Sequence, residues 1–184
     1  LLTPDERDRA ARYRAGTVRE QFITSRGLLR HLLGERLGVA PHAVPITYVL
    51  NGKPVLACQT LHFNVSHTHG LMMIALATRR IGVDVERTRR VPDAAGLVSR
   101  FFSPAEQQAY LELPDHCRER AFFRGWVCKE AVIKAAGATV AMLNDIARAG
   151  PFGAGHAEPV FALPSHTVAY AEEVGQAQGR GLLA

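Results

Sequence analysis

The stretch Ile81-Gly82-Val83-Asp84-Val85-Glu86 alternates apolar and acidic residues and so reads as a strand. On an extended chain, residues two apart share a face. Val83 and Val85 then turn into a core, and Asp84 and Glu86 stand side by side on the other face. Two neighbouring carboxylates repel each other unless a cation sits between them. A hard cation such as Mg²⁺ takes one or two carboxylates and fills the rest of its shell with water and substrate phosphates. The ordinary alternative is a half-exposed strand with its charges in solvent. Spacing alone leaves both open.

Working outward, 62–77 reads as two short strands broken at His69-Gly70, and 46–50 as a strand ending in the turn signal Asn51-Gly52. Thr3-Pro4-Asp5-Glu6 is a helix start, with Thr3 as cap, Pro4 in the first turn and Glu6 as the capping-box acid. A basic helix follows, carrying Arg7, Arg9, Arg12 and Arg14. A second helix is expected over 18–37, with Phe22, Leu29, Leu32, Leu33 and Leu37 near helical spacing and Gly38 as its stop. Ser103-Pro104-Ala105-Glu106 repeats the first helix start. A long helix over 118–136 follows, with Phe122, Phe123, Trp126, Val127 and Ile133 on its apolar side and Gly137 at its end. After Gly150 glycine and proline dominate, and only 160–163 and 167–170 look strand-like. The two matching helix starts suggest two related halves, 1–79 and 80–184.

The chain has 184 residues, 47% hydrophobic and 21% charged, which is globular composition. Its net charge of +5 comes from 22 Lys and Arg against 17 Asp and Glu. That balance favours an anionic partner: a phosphorylated ligand, an acidic protein or nucleic acid. A nucleic-acid module would interleave aromatic with basic residues on an exposed sheet. Here aromatics are 7% and sit mostly in apolar runs, which argues against it. Cys58, Cys117 and Cys128 form no C-x-x-C pair, so a reducing, cytoplasmic setting is expected. The longest apolar run, Leu71–Ala77, is too short to cross a membrane. No signal peptide is visible. The chain opens on Leu1 rather than Met, so native residues are expected before it.

Other residues could carry chemistry. Glu130 and Lys134 are one turn apart, either a surface ion pair or a metal ligand or base beside a phosphate contact. Phe63-Asn64-Val65-Ser66-His67 ends an apolar strand, where polar groups can meet a ligand. A zinc site at His62, His67 and His69 lacks further fitting ligands. Gly52-Lys53-Pro54 is a turn, or a loop letting backbone and charge approach a ligand. Arg26 and Arg30 lie one turn apart, as a solvated face or as guanidinium forks on phosphate. No Walker-type or dinucleotide-type glycine loop is present, and Gly153-Ala154-Gly155 lacks the context for one.

The order of these clusters is more specific than any one of them. Gly52-Lys53-Pro54, Phe63-Asn64-Val65-Ser66-His67, Gly82-Val83-Asp84-Val85-Glu86, Phe101-Phe102-Ser103-Pro104-Ala105-Glu106 and Trp126-Val127-Cys128-Lys129-Glu130-Ala131-Val132-Ile133-Lys134 together resemble the 4′-phosphopantetheinyl transferases, and most closely the larger, surfactin-synthetase-activating type. Val127 departs from the small hydroxyl residue frequent in the family after the tryptophan. The resemblance implies two similar α+β halves related by a pseudo-twofold, with a ligand cleft between them. The first half would contact the nucleotide of coenzyme A, and the second would carry the metal and catalytic residues. It further implies Mg²⁺, or alternatively Mn²⁺, on Asp84, Glu86 and Glu130. Lys134 and His67 would meet the phosphates, and Arg26 the 3′-phosphate. Gly52, Lys53, Pro54 and Ser66 would flank the nucleotide, and Glu130 and Lys134 would be catalytic. The implied reaction moves phosphopantetheine from coenzyme A to a serine of an acidic acyl or peptidyl carrier protein. The implied protein is monomeric and binds neither nucleic acid nor membrane. Another metal-dependent phosphoryl-transfer enzyme or hydrolase is the rival reading.

Overall fold

A computed structural model describes residues 1–49, 52–58, 60–138, 157–163 and 166–172. The turn residue Asn51 and Gly153-Ala154-Gly155 fall outside the described residues. The chain packs as two units, Leu1–Gln59 and Thr60–Ala184. The 79/80 junction suggested by the paired helix starts lies between two strands of the second unit.

The first unit contains α1 (Pro4–Ala11), α2 (Gly16–Leu37), a 3₁₀ turn (Pro41–Ala43), and the antiparallel strands β1 (Ile46–Tyr48) and β2 (Pro54–Leu56). Thr3 caps α1 as its sequence dictates: its hydroxyl accepts the Glu6 N–H at 3.4 Å, and Glu6 Oε2 accepts the Thr3 N–H at 3.1 Å. The same Glu6 oxygen also accepts from Arg30 Nε at 2.6 Å. Arg30 Nη1 reaches on to the carbonyls of Pro41 and Val44, 3.0 Å each. One arginine thus ties both helices to the chain entering β1. Arg26 and Arg30 are buried, which corrects the solvated-face reading of this pair. Ala10, Leu29, Leu33, Val44 and Leu56 supply the apolar filling. Gly52 turns the hairpin at φ 78°, a backbone region open to glycine at little cost.

The second unit holds the hairpin β3 (His62–Thr68) and β4 (Leu71–Ala77), paired from His62↔Ala77 to Thr68↔Leu71. Then come β5 (Ile81–Arg87), α3 (Ala94–Phe101), α4 (Pro104–Glu112), α5 (Asp115–Ala136), β6 (Ala157–Leu163) and β7 (His166–Glu172). The sheet order is β5-β7-β6, all antiparallel. One face of β5 carries Val83 and Val85, packed with Val168 of β7 and half-buried Leu71, Met73 and Ala75 of β4. The other face lies under α5. Small residues make this approach close: Ala131 and Ala135 of the helix meet Ala169 and Ala171 of β7. Gly82 marks the tightest point, because a Cβ there would stand 2.0 Å from the Ala131 carbonyl oxygen and 2.4 Å from the Ala135 nitrogen. At its N-terminal end α5 packs Phe122 and Phe123 against Val98 of α3, Phe102 just beyond α3, and Tyr110 of α4.

The fold is α+β, and its local plan is repeated. A short helix in a capping box precedes a helix of 22 residues that ends on a left-handed glycine. Gly38 does this at φ 68°, ψ 30°, and Gly137 at φ 70°, ψ 32°. No described helix is long and apolar enough to cross a membrane.

Candidate active site

Three elements of the second unit bring titratable side chains together. Strand alternation puts Asn64, Ser66 and Thr68 of β3 on one face. That face meets the edge of β5 through side chains. Asn64 Oδ1 accepts the Val83 N–H at 2.9 Å, Ser66 Oγ the Val85 N–H at 3.3 Å, and Thr68 Oγ1 the Arg87 N–H at 3.4 Å. From α5, Lys134 reaches in beside Gly82. Its Nζ donates to Asp84 Oδ1 at 2.5 Å and to Ser66 Oγ at 3.0 Å, while Ser66 Oγ donates to the same Asp84 oxygen at 2.8 Å.

Asp84 is 4% exposed, and its second oxygen, Oδ2, is buried with no hydrogen-bond partner among the described residues. Glu130, one helical turn before Lys134, is pushed above the ordinary carboxylate pKa. Burial is the first cause, and the charges of Asp84 and Glu86 add to it against the opposing Lys134. Glu86 continues the Asp84 face of β5 toward solvent and stands 3.5 Å from Arg89 Nη1. Among the described residues no three His, Cys, Asp or Glu side chains are drawn into a ready metal-ligand set. The donor chemistry nevertheless fits a hard divalent cation: every candidate ligand is a carboxylate oxygen, Asp84 Oδ2 has no partner among the described residues, and the charges of Asp84 and Glu86 both bear on Glu130.

Asp84, Glu130 and Lys134 are thus brought together with Ser66. His67 alternates to the opposite face of β3 and is exposed. In the first unit, Arg26 lies between the rings of Phe22 and Tyr48, 5.9 and 5.8 Å from their centroids. Its Nη1 is 3.5 Å from Glu6 Oε1, an ion pair without a hydrogen bond. Gly52 and Lys53 form the turn that leads into Pro54 at the start of β2, and Gly52 N–H donates to the Val49 carbonyl at 2.8 Å.

Two site features were not read from sequence. Gly82 matters through what crosses it, which no local pattern reports. Lys129 is held at 2.8 Å by Glu106, the capping-box acid of α4, and lies 4.8 Å above the Phe102 ring. The capping pattern was a visible signal for Glu106, but nothing in it named the distant lysine.

The chain also matches known proteins along most of its length. The family model described as 4′-phosphopantetheinyl transferase, N-terminal, matches residues 1–79, and that of the 4′-phosphopantetheinyl transferase superfamily matches 80–163. The 4′-phosphopantetheinyl transferase HetI of Nostoc sp. is 42% identical over 150 residues, covering 79% of this chain and 63% of the relative. The 4′-phosphopantetheinyl transferase psf-1 of Bacillus pumilus is 31% identical over 134 residues, 72% of this chain and 57% of the relative. The L-aminoadipate-semialdehyde dehydrogenase-phosphopantetheinyl transferase of Rattus norvegicus is 25% identical over 149 residues, 74% and 48%. The chain therefore spans 63% or less of the length of these relatives. The two models adjoin and together account for residues 1–163, so the chain belongs to the 4′-phosphopantetheinyl transferase superfamily, in its two-half form.

Proposed function

We propose that the chain transfers the 4′-phosphopantetheine group of coenzyme A to a serine of an apo acyl or peptidyl carrier protein, releasing 3′,5′-ADP. The observation that carries this reading is the meeting of Asp84, Glu130 and Lys134 where α5 crosses β5 at Gly82. The carrier serine hydroxyl attacks the β-phosphorus of coenzyme A. A new P–O bond forms, the bond to the bridging oxygen breaks, and that oxygen leaves with its electron pair on 3′,5′-ADP. Glu130 takes the serine proton, the part a positioned carboxylate plays as general base. Lys134 meets the negative charge that gathers on the leaving phosphate. Asp84, Glu86 and Glu130 would hold Mg²⁺ or Mn²⁺, and the bound cation would neutralise the pyrophosphate.

Arg26 of the first unit is assigned to the 3′-phosphate, and Gly52, Lys53 and Pro54 to the nucleotide. His67 of the second unit is assigned to the phosphates. The +5 charge suits an acidic carrier as partner. A cytoplasmic monomer that binds neither nucleic acid nor membrane completes the reading.

The test is to incubate the chain with coenzyme A, Mg²⁺ and apo carrier proteins, and to weigh the carriers. A mass gain equal to one phosphopantetheine group is expected. No gain on fatty-acid, polyketide or peptide carriers would overturn transfer. Coenzyme A cleaved without any carrier gain would establish a hydrolase instead.

A further inference from the structure

A serine hydroxyl has one hydrogen to donate and two lone pairs. In Ser66 all three are engaged: Oγ donates to Asp84 Oδ1, and accepts from the Val85 N–H and from Lys134 Nζ. The residue is 5% exposed. Such a hydroxyl has no bonding capacity left for a nucleotide. We infer that Ser66 is a positioning residue for Asp84: it fixes Oδ1 within the protein and so keeps Oδ2 aimed at the cation site.

The inference rests on the metal role proposed for Asp84, and the geometry shows how the positioning works. Asn64, Ser66 and Thr68 form a comb along β3 whose side-chain oxygens accept successive outward N–H groups of β5, at Val83, Val85 and Arg87. All three teeth hold the strand edge, but only Ser66 also bonds a carboxylate. Its oxygen is anchored by backbone, so it presents a fixed donor to Asp84. Lys134 alone would not select one oxygen, because an ammonium on a long stem can bond either. Removing the hydroxyl therefore frees the carboxylate to rotate and lets Lys134 occupy the oxygen meant for the cation. Partners that orient a metal-binding side chain in this way typically contribute about 10–100-fold to metal affinity.

The experiment measures Mn²⁺ binding to the full chain by electron paramagnetic resonance, without coenzyme A, for the parent and for Ser66→Ala, Ser66→Thr and Asn64→Ala. Ser66→Ala should weaken Mn²⁺ at least about tenfold, and Ser66→Thr, which keeps a hydroxyl, should recover most of the loss. Asn64→Ala removes a tooth that does not touch Asp84, so it should lower the melting temperature while Mn²⁺ binding stays near the parent value. In steady state, Ser66→Ala should raise the metal concentration needed for half-maximal rate and leave KM for coenzyme A unchanged. If the parent binds Mn²⁺ and Ser66→Ala binds it equally well, or if the loss appears only in KM for coenzyme A, the positioning role is wrong while the metal reading stands. A parent chain that binds no Mn²⁺ overturns both.

Discussion

Both units bury a carboxylate among cations, and they finish the arrangement differently. In the first, Glu6 receives the Thr3 N–H and the Arg30 guanidinium, with Arg26 close by. Burial alone would raise its pKa, yet the Arg30 and Thr3 hydrogen bonds and the two guanidinium charges together hold it below the ordinary glutamate value. In the second, Asp84 leaves one oxygen without a partner among the described residues, and nearby Glu130 is pushed the opposite way, above its ordinary value. A buried carboxylate held by two guanidinium groups and a backbone N–H joins elements of a fold. One with a buried oxygen unpartnered among the described residues, beside a second acid, leaves negative charge that a cation could balance.

The largest effect should come from breaking the incomplete cluster. Asp84→Asn keeps an oxygen for Ser66 and Lys134 but removes the charge offered to a cation. Phosphopantetheine transfer should fall by about three orders of magnitude, consistent with the several kcal/mol that a metal contributes to transition-state charge. The circular dichroism spectrum should stay that of the parent. Near-parental activity in Asp84→Asn would remove the distinction between the clusters. The matching cut in the first unit, Arg30→Ala, acts on stability. It strands Glu6 and takes a donor from the Pro41 and Val44 carbonyls. The expected cost is about 3–5 kcal/mol, the usual penalty for leaving one partner of a buried pair alone. Urea unfolding measures it, and a cost below about 1 kcal/mol would mean that the first cluster is not what joins α1, α2 and the approach to β1.

Gly82→Ala tests whether the second cluster depends on the helix crossing. A methyl at Gly82 overlaps the backbone of α5 at Ala131 and Ala135, where no flexible side-chain end can yield. The helix must move, taking Glu130 and Lys134 from Asp84. Misplacements of about 1 Å can cost about 100-fold in rate, so activity should drop by about that factor in a chain that still folds. Transfer kinetics on the folded fraction give the answer, and a rate unchanged from the parent would show that Lys134 reaches Asp84 without the close approach.

The parts of this arrangement that sequence made legible are those with local causes. The two capping boxes, the two long helices with their terminal glycines, β3, β4 and β5 all announce themselves within a few residues. The short strand β2 and the helix α3 do not, because three residues opening on Pro54 are too few to show alternation, and the eight residues of α3 begin without a side-chain cap. The place of β7 beside β5 is a pairing across Asp84↔Ala169, which no local pattern encodes. The site divides the same way. Alternation gives Asp84 and Glu86 a common face, while Glu130 and Lys134 gained meaning only from a resemblance spread along the chain. Spacing leaves Arg26 and Arg30 open between a solvated face and phosphate forks, because Glu6, which draws Arg30 inward, lies 24 residues before it.

Acid titration separates the two clusters by sign. The folded pKa of Glu6 lies below its ordinary value of 4.5. Both states are ionised above about pH 5, and there the full stabilisation is present. As pH falls, the unfolded chain takes up its proton first, so stability declines until pH has passed the lowered folded value. Glu6→Gln removes this dependence. The urea midpoint of Glu6→Gln should therefore be lower than that of the parent at neutral pH, and the gap should close as pH falls below 4.5 and on through the lowered folded value. Glu130 runs the other way in the metal-free chain. Its raised folded pKa means that ionisation costs the native state stability as pH rises. Glu130→Gln should then match the parent in acid and exceed it at neutral pH, the gap widening upward. Two gaps that open in the same direction would show that both acids are equally satisfied, and the contrast between the units would be lost.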